Sequence, residues 1–146
     1  MANEARVFAE GPDNCKVVAV AVPASTAVPK GTLLIANGDR TAALHVAAAR
    51  RAPLGFAVSS ITSSDADYAS AKNIGVQTTG VVEAIADGAI KTAQLVCSGA
   101  TTANRVQASY DGQYSLYEHA QIIMGRALEN AADGETVKVA LNIFNW

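Results

Sequence analysis

Asp65 and Asp67 stand two positions apart in the Ser- and Asp-rich stretch SSITSSDADYAS, residues 59–70. At that spacing two carboxylates can share a hydrolytic task or offer oxygen ligands to a hard cation. The stretch lacks the loop glycine and the downstream glutamate that complete an EF-hand, so it reads as a polar surface loop. The two histidines, His45 and His119, have no GxSxG elbow or active-site cysteine to act upon, and each reads as a structural or surface residue. Cys15 and Cys97 lie far apart beside Val17, Val18, Leu95 and Val96, outside any CxxC or Cys/His cluster; buried thiols are the expectation. No GxGxxG or GxxxxGK[ST] cradle for phosphate is present. The expected catalytic, cofactor-binding and metal-binding residues are therefore none, and the chain does not read as an enzyme. A small β-barrel hydrolase using Asp65, Asp67 or His119 is the enzymatic alternative.

Contact chemistry is better represented. The segment SYDGQYSLYEHA, residues 109–120, carries Tyr110, Tyr114 and Tyr117, three of the four tyrosines, in what reads as a loop. Loop tyrosines supply rigid amphipathic area at low entropic cost, which suits a protein interface. At the end of the chain Phe144 and Trp146 place two large aromatics where fraying is usual, and another subunit is the expected cover.

The elements that must position these residues read as short strands. Residues 16–22, 32–35, 55–61, 74–82, 94–97, 122–128 and 136–143 are apolar runs bounded by Gly, Pro, Asp or Ser, and such short, evenly spaced strands point to a small β-barrel or sandwich. Alternation is cleanest near the end, where Val137, Val139 and Leu141 face one way and Lys138, Ala140 and Asn142 the other. Asp87-Gly88 and Asp133-Gly134 mark tight connections. The alanine-rich stretch TAALHVAAARR, residues 41–51, favours at most one short helix on propensity, with strand plus loop as the other reading.

A faint repeat runs through the chain. KGTLLI (30–35), LGFAV (54–58) and NIGVQTTGVV (73–82) recur in order as KTAQLVC (91–97), MGRAL (124–128) and ETVKVALNIF (135–144). Two copies of one β-unit, each with its own surface excursion and packed face to face, is the expected plan.

Composition bounds the rest. At 146 residues one domain is expected, burying about two-thirds of the surface its unfolded form exposes. Half of the residues are hydrophobic but only 5% are aromatic, and alanine supplies about one residue in five. Such a core is thin and benefits from neighbouring subunits. The net charge is −2, with acids and bases scattered, and Arg50-Arg51 is the sole basic pair; nothing forms the basic stripe that captures nucleic acid. No run approaches the ~20 apolar residues of a membrane span, and the first residues lack the apolar core of a secretory signal, so synthesis in a cytosol is expected.

Taken with the segment GRALENAADGETVKVAL (125–141), three stretches carry a family resemblance: VVAVAVPASTAVPKGTLLI (17–35), GVVEAIADGAIKTAQLV (80–96) and MGRALENAADGETVKVAL (124–141). In that order they resemble the bacteriophage capsid cement, or head-decoration, proteins. The resemblance implies a non-enzymatic virion protein on the capsid outer surface, a homotrimer whose partner is the major capsid protein. It implies an N-terminal arm over residues 1–14, with Arg6, Val7 and Phe8 as candidate contacts, ahead of a single β-rich domain over residues 15–146. It does not settle the excursions at 39–53 and 99–120. A tail or fibre subunit, or another surface-binding module, is the alternative within the virion.

Overall fold

The computed structural model describes residues 6–7, 16–38, 41–46, 52–109 and 122–143. Among them are eleven strands and no helix: β1 (Arg6–Val7), β2 (Val17–Val22), β3 (Leu33–Ala36), β4 (Ala42–Leu44), β5 (Pro53–Ala57), β6 (Lys72–Gln77), β7 (Thr79–Ala86), β8 (Leu95–Ser98), β9 (Arg105–Ala108), β10 (Ile123–Ala127) and β11 (Thr136–Asn142). The mainly β reading holds.

The strands form two sheets with one topology. The first runs β2-β6-β5-β3-β4 and the second β1-β7-β11-β10-β8-β9, so that, β1 apart, every strand of the first unit has its counterpart five strands later. Both sheets close on themselves through a parallel contact. In the first unit Ala21 bridges Thr41, beside β4, and in the second Ile85 and Ala86 pair with Arg105 and Val106 of β9. Closure pairs the outer edges that an open sheet would leave unsatisfied.

The likeness extends to irregularities. In the first unit Leu34 pairs Gly55 and Ile35 pairs Pro53, so Leu54 is an extra, bulged residue; in the second Val96 pairs Gly125, Cys97 pairs Ile123, and Met124 is extra. Both bulged side chains are buried. Val28 and Ile61 bridge at one end of the first unit as Ile90 and Ala131 do in the second. The turn between β5 and β6 is closed by Asp65 accepting a hydrogen bond from the Thr62 amide at 3.0 Å, and its counterpart by Glu135 accepting one from Ala132 at 2.9 Å.

Each unit encloses its own core of small and branched residues. Val20, Val22, Leu34, Leu54, Ile74 and Val76 are among those filling the first, and Val82, Val96, Val106, Met124, Val137 and Val139 among those filling the second. Two residues cross over: Leu33 and Phe56 belong to first-unit strands but pack in the second unit's cluster. The covalent connection between β6 and β7 is Thr78 alone, whose amide donates to the Lys16 carbonyl at 2.9 Å.

Three local expectations change. Residues 42–44, in the stretch read as a short helix or as strand plus loop, form β4, the second of those readings: Ile35 pairs Ala43, Ala36 pairs Ala42, and Ala42 is buried in the first core, so tertiary pairing overrides alanine's propensity. Residues 74–82, read as one strand, are two, broken at Thr78 and followed by Gly80 at φ 92°, which frees β7 to start the second sheet. Part of the 99–120 excursion is β9, which closes the second unit.

Candidate interaction surface

The residues with chemical potential are spent on architecture. Asp65 caps its own turn, accepting from the Thr62 amide and, at 3.1 Å, from the Thr62 hydroxyl. Lys72 lies 3.5 Å from Asp65 and also pairs with Asp67. Thr62's hydrogen bonds hold the Asp65 carboxyl below its ordinary range, and Lys72 does the same for Asp67, while Asp67 raises the lysine in return. An ammonium between the two carboxylates occupies the place a cation would take. Among the described residues no group of three or more His, Cys, Asp or Glu is placed to hold a metal ion. His119 and Cys15 lie outside the described residues, and Cys97 is buried.

His45 has a role that its sequence surroundings did not reveal. It follows β4, its amide donates to the Leu33 carbonyl at 2.9 Å, and its ring is buried. Nδ1 accepts the amide of Asn104 in the second unit at 2.9 Å, which fixes the neutral tautomer with the proton on Nε2. Burial lowers its pKa below the ordinary 6.5, against the opposing pull of the Gly99 backbone and the Asp87 carboxylate. His45 therefore joins the units as Leu33 and Phe56 do, by a hydrogen bond in place of apolar contact.

Of the candidate contact residues, Arg6 and Val7 form β1, whose backbone pairs with Glu83 and Val82 of β7. Phe8, Tyr110, Tyr114, Tyr117, Phe144 and Trp146 lie outside the described residues.

One concave apolar surface among the described residues is one the sequence did not announce. A groove of about 500 Å³ runs over β8, β10 and β11, lined by Leu95, Ile123, Gly125, Arg126, Ala140, Leu141 and Asn142. Close strand packing shapes its floor, since a Cβ at Gly125 would run into the carbonyl oxygen of Ala140. The Arg126 guanidinium is tethered at one side by donating to the Ala93 carbonyl at 2.9 Å. Nothing in the groove is nucleophilic or acidic, so its chemistry is that of contact. The only sequence signal for it was the repeat, in which MGRAL puts Arg126 where LGFAV has Phe56.

Neither a protein-family model nor a curated protein matches the chain. Among solved structures, the head fibre gp8.5 N base of bacteriophage phi29 shares its fold. The two superpose with a TM-score of 0.53 at 19% sequence identity, over 90% of this chain and 98% of that one. The paired β-units are thus a known architecture, found here in a distant sequence.

Proposed function

We propose that this chain is a structural protein of a phage virion that acts at the head: a decoration protein binding the outer surface of the major capsid protein lattice and stabilising the expanded head. The observation that carries this reading is a fold shared, over nearly the whole of both chains, with the base of a phage head fibre. The order of motifs resembling the cement proteins supports it independently. A homotrimer is the proposed assembly, with the major capsid protein as partner and residues 1–14 as the arm that grips the shell.

The physics of the role is undemanding of chemistry. A decorating protein repeated over a symmetric lattice gains avidity from many weak contacts, so it needs apolar patches and sheet edges in place of a pocket with convergent polar groups. A net charge of −2 permits dense packing without strong mutual repulsion.

The head fibre likeness also favours a second reading, in which the chain is the base of a projecting fibre. Co-sedimentation with undecorated, expanded heads tests both, using the full chain and one lacking residues 1–14. Saturable binding at many copies per head that is lost on truncation supports decoration. Binding at few sites per head, seen as projections by electron microscopy, supports a fibre base. Absence of binding by either form overturns both readings.

A further inference from the structure

The repeat places one surface in two environments. In the first sheet Leu33 pairs with Phe56 and Phe56 with Gln77; in the second Leu95 pairs with Arg126 and Arg126 with Ala140, so the two rows are counterparts on counterpart strands. The first row is covered within the molecule: Leu33 and Phe56 pack in the second unit's core, and the buried Gln77 donates through its side-chain amide to the Thr79 carbonyl of β7 at 3.0 Å. In the second row a guanidinium replaces the aromatic ring and a methyl group the amide. There Leu95 is 36% exposed, Arg126 is exposed, and the face forms the groove described above.

The second row has the make-up of a contact site and a definite sign of charge. Ile123, Arg126 and Leu128 follow one another on the outward side of β10 and its end, an aliphatic group on either side of the cation. Leu95 and Leu128 are two of the four large hydrophobic side chains exposed among the described residues. Apolar area around an arginine is typical of the centre of a protein–protein contact. No carboxylate is among the described residues that line the groove. The acids of the neighbouring row attend Lys138: Glu83 stands opposite it in register, and Glu129 accepts from its amide at 2.9 Å. The bond from Arg126 to the Ala93 carbonyl holds one nitrogen of the guanidinium in place, so less freedom is lost when a carboxylate docks on the group. β10 is paired on both sides, to β8 and β11, so an occupant engages through side chains and does not add as a strand.

We propose that this groove takes an extended segment of the shell protein, in which one carboxylate faces Arg126 and an aliphatic side chain two positions before or after it lies against Ile123, Leu95 or Leu128. Alternate residues of an extended chain point the same way about 7 Å apart, which is also the spacing from Arg126 to Leu128. Charge complementarity selects this occupant. Two copies of the chain meeting groove to groove would bring two Arg126 guanidiniums together, and like charges opposed across an interface disfavour that pairing. The inference rests on the proposed function, naming the surface and the chemistry of its partner, and the test below separates failure of the one from failure of the other.

Co-sedimentation of the full-length protein with undecorated, expanded heads reads the affinity. Arg126→Ala and Leu95→Asp should each raise the apparent Kd at least tenfold, and Arg126→Glu further still, while circular dichroism and the thermal midpoint stay as in wild type. Lys30→Ala, which removes an exposed charge from the first unit, should bind as wild type does, and added salt should weaken wild type more than Arg126→Ala. Carbodiimide coupling then identifies the occupant. With Arg126→Lys it joins the introduced amine to a carboxylate in contact with it, with loss of water, and mass spectrometry should place the link on an Asp or Glu of the shell protein that has an aliphatic residue two positions away. Wild type treated alike should lack that link. Wild type that binds no heads overturns the proposed function and this inference together. Binding that Arg126→Glu and Leu95→Asp leave unmoved overturns the groove alone, as does a link to a second copy of this chain, or bound Arg126→Lys protein that yields no link. Hydrogen-exchange protection of residues 95 and 123–126 in the free monomer would also overturn it, since the chain itself would then cover the groove.

Discussion

A buried neutral histidine that accepts a backbone hydrogen bond between two units ties their joint to pH. Its pKa is lowered by burial, so the unfolded chain binds a proton more readily than the native one between 6.5 and the native value. In that window stability rises with pH: His45's contribution is complete above about 6.5 and is lost as pH falls through the native pKa. The protonated ring cannot accept from Asn104, so the joint itself is what acid weakens. Urea unfolding from pH 7.5 to 5 should show wild type losing up to about 1.4 kcal/mol per pH unit below 6.5. His45→Asn should flatten that slope, and parallel pH profiles would show that His45 is not the titrating group. Glycine matters at the bulges for a different reason. At Gly55, φ is +141° and an added Cβ would lie 2.5 Å from the Gln77 carbonyl oxygen; at Gly125 it would meet the Ala140 carbonyl oxygen. Gly55→Ala and Gly125→Ala should each cost about 1–3 kcal/mol by denaturant melt, whereas Gly38→Ala, with nothing near its Cβ, should cost only the strain of its φ of +83°.

At the scale of elements, sequence legibility followed the amount of pattern each strand carries. β11 was plain because seven residues alternate against a buried face, β3 with β8 announced themselves as short Lys-led apolar runs, and β5 with β10 as apolar runs around a glycine. β4 and β9 were not legible: with three and four residues they are too short for their alternation to stand out, and their strand character comes from partners distant in sequence. The division at Thr78 lies in the polar stretch Gln77-Thr78-Thr79-Gly80, whose Gly80 at φ 92° marks the break, but the β-rich runs on either side read as one continuous strand. The groove was hidden for a related reason, since Leu95 looks like any other strand residue until its counterpart Leu33 is seen to be covered. The two faces give a paired prediction. Phe56→Ala, which empties the joint, should cost about 3–5 kcal/mol, while Leu95→Ala on the open counterpart should cost about 1 kcal/mol or less in the dissociated protein. Equal losses, read from urea midpoints at low protein concentration, would mean that the two faces are equally covered.

The whole molecule is two small barrels, neither of which has much material to stand on. Each interior is filled mainly by alanine, valine and other aliphatic groups, and the large aromatic side chain Phe56, though it lies on a first-unit strand, is buried in the second unit's core. A unit of half this length buries a smaller share of its surface than the full chain does, so the joint carries a large part of the stability of both. Leu33, Phe56, the His45–Asn104 hydrogen bond and a one-residue connection leave little freedom for one unit to open while the other persists. The intact chain should therefore unfold in a single transition, with coincident midpoints by near- and far-ultraviolet dichroism. Residues 1–77 and 79–146 made separately should each lack a cooperative melt, because the first then exposes Leu33 and Phe56 and the second loses the groups that complete its core. Mixing the two fragments should restore the transition at a midpoint that rises with concentration, as mass action requires of a joint remade between molecules. Two fragments that each melt cooperatively at the intact chain's midpoint would show instead that the barrels are independent, and that the contact between them sets their arrangement without holding either one together.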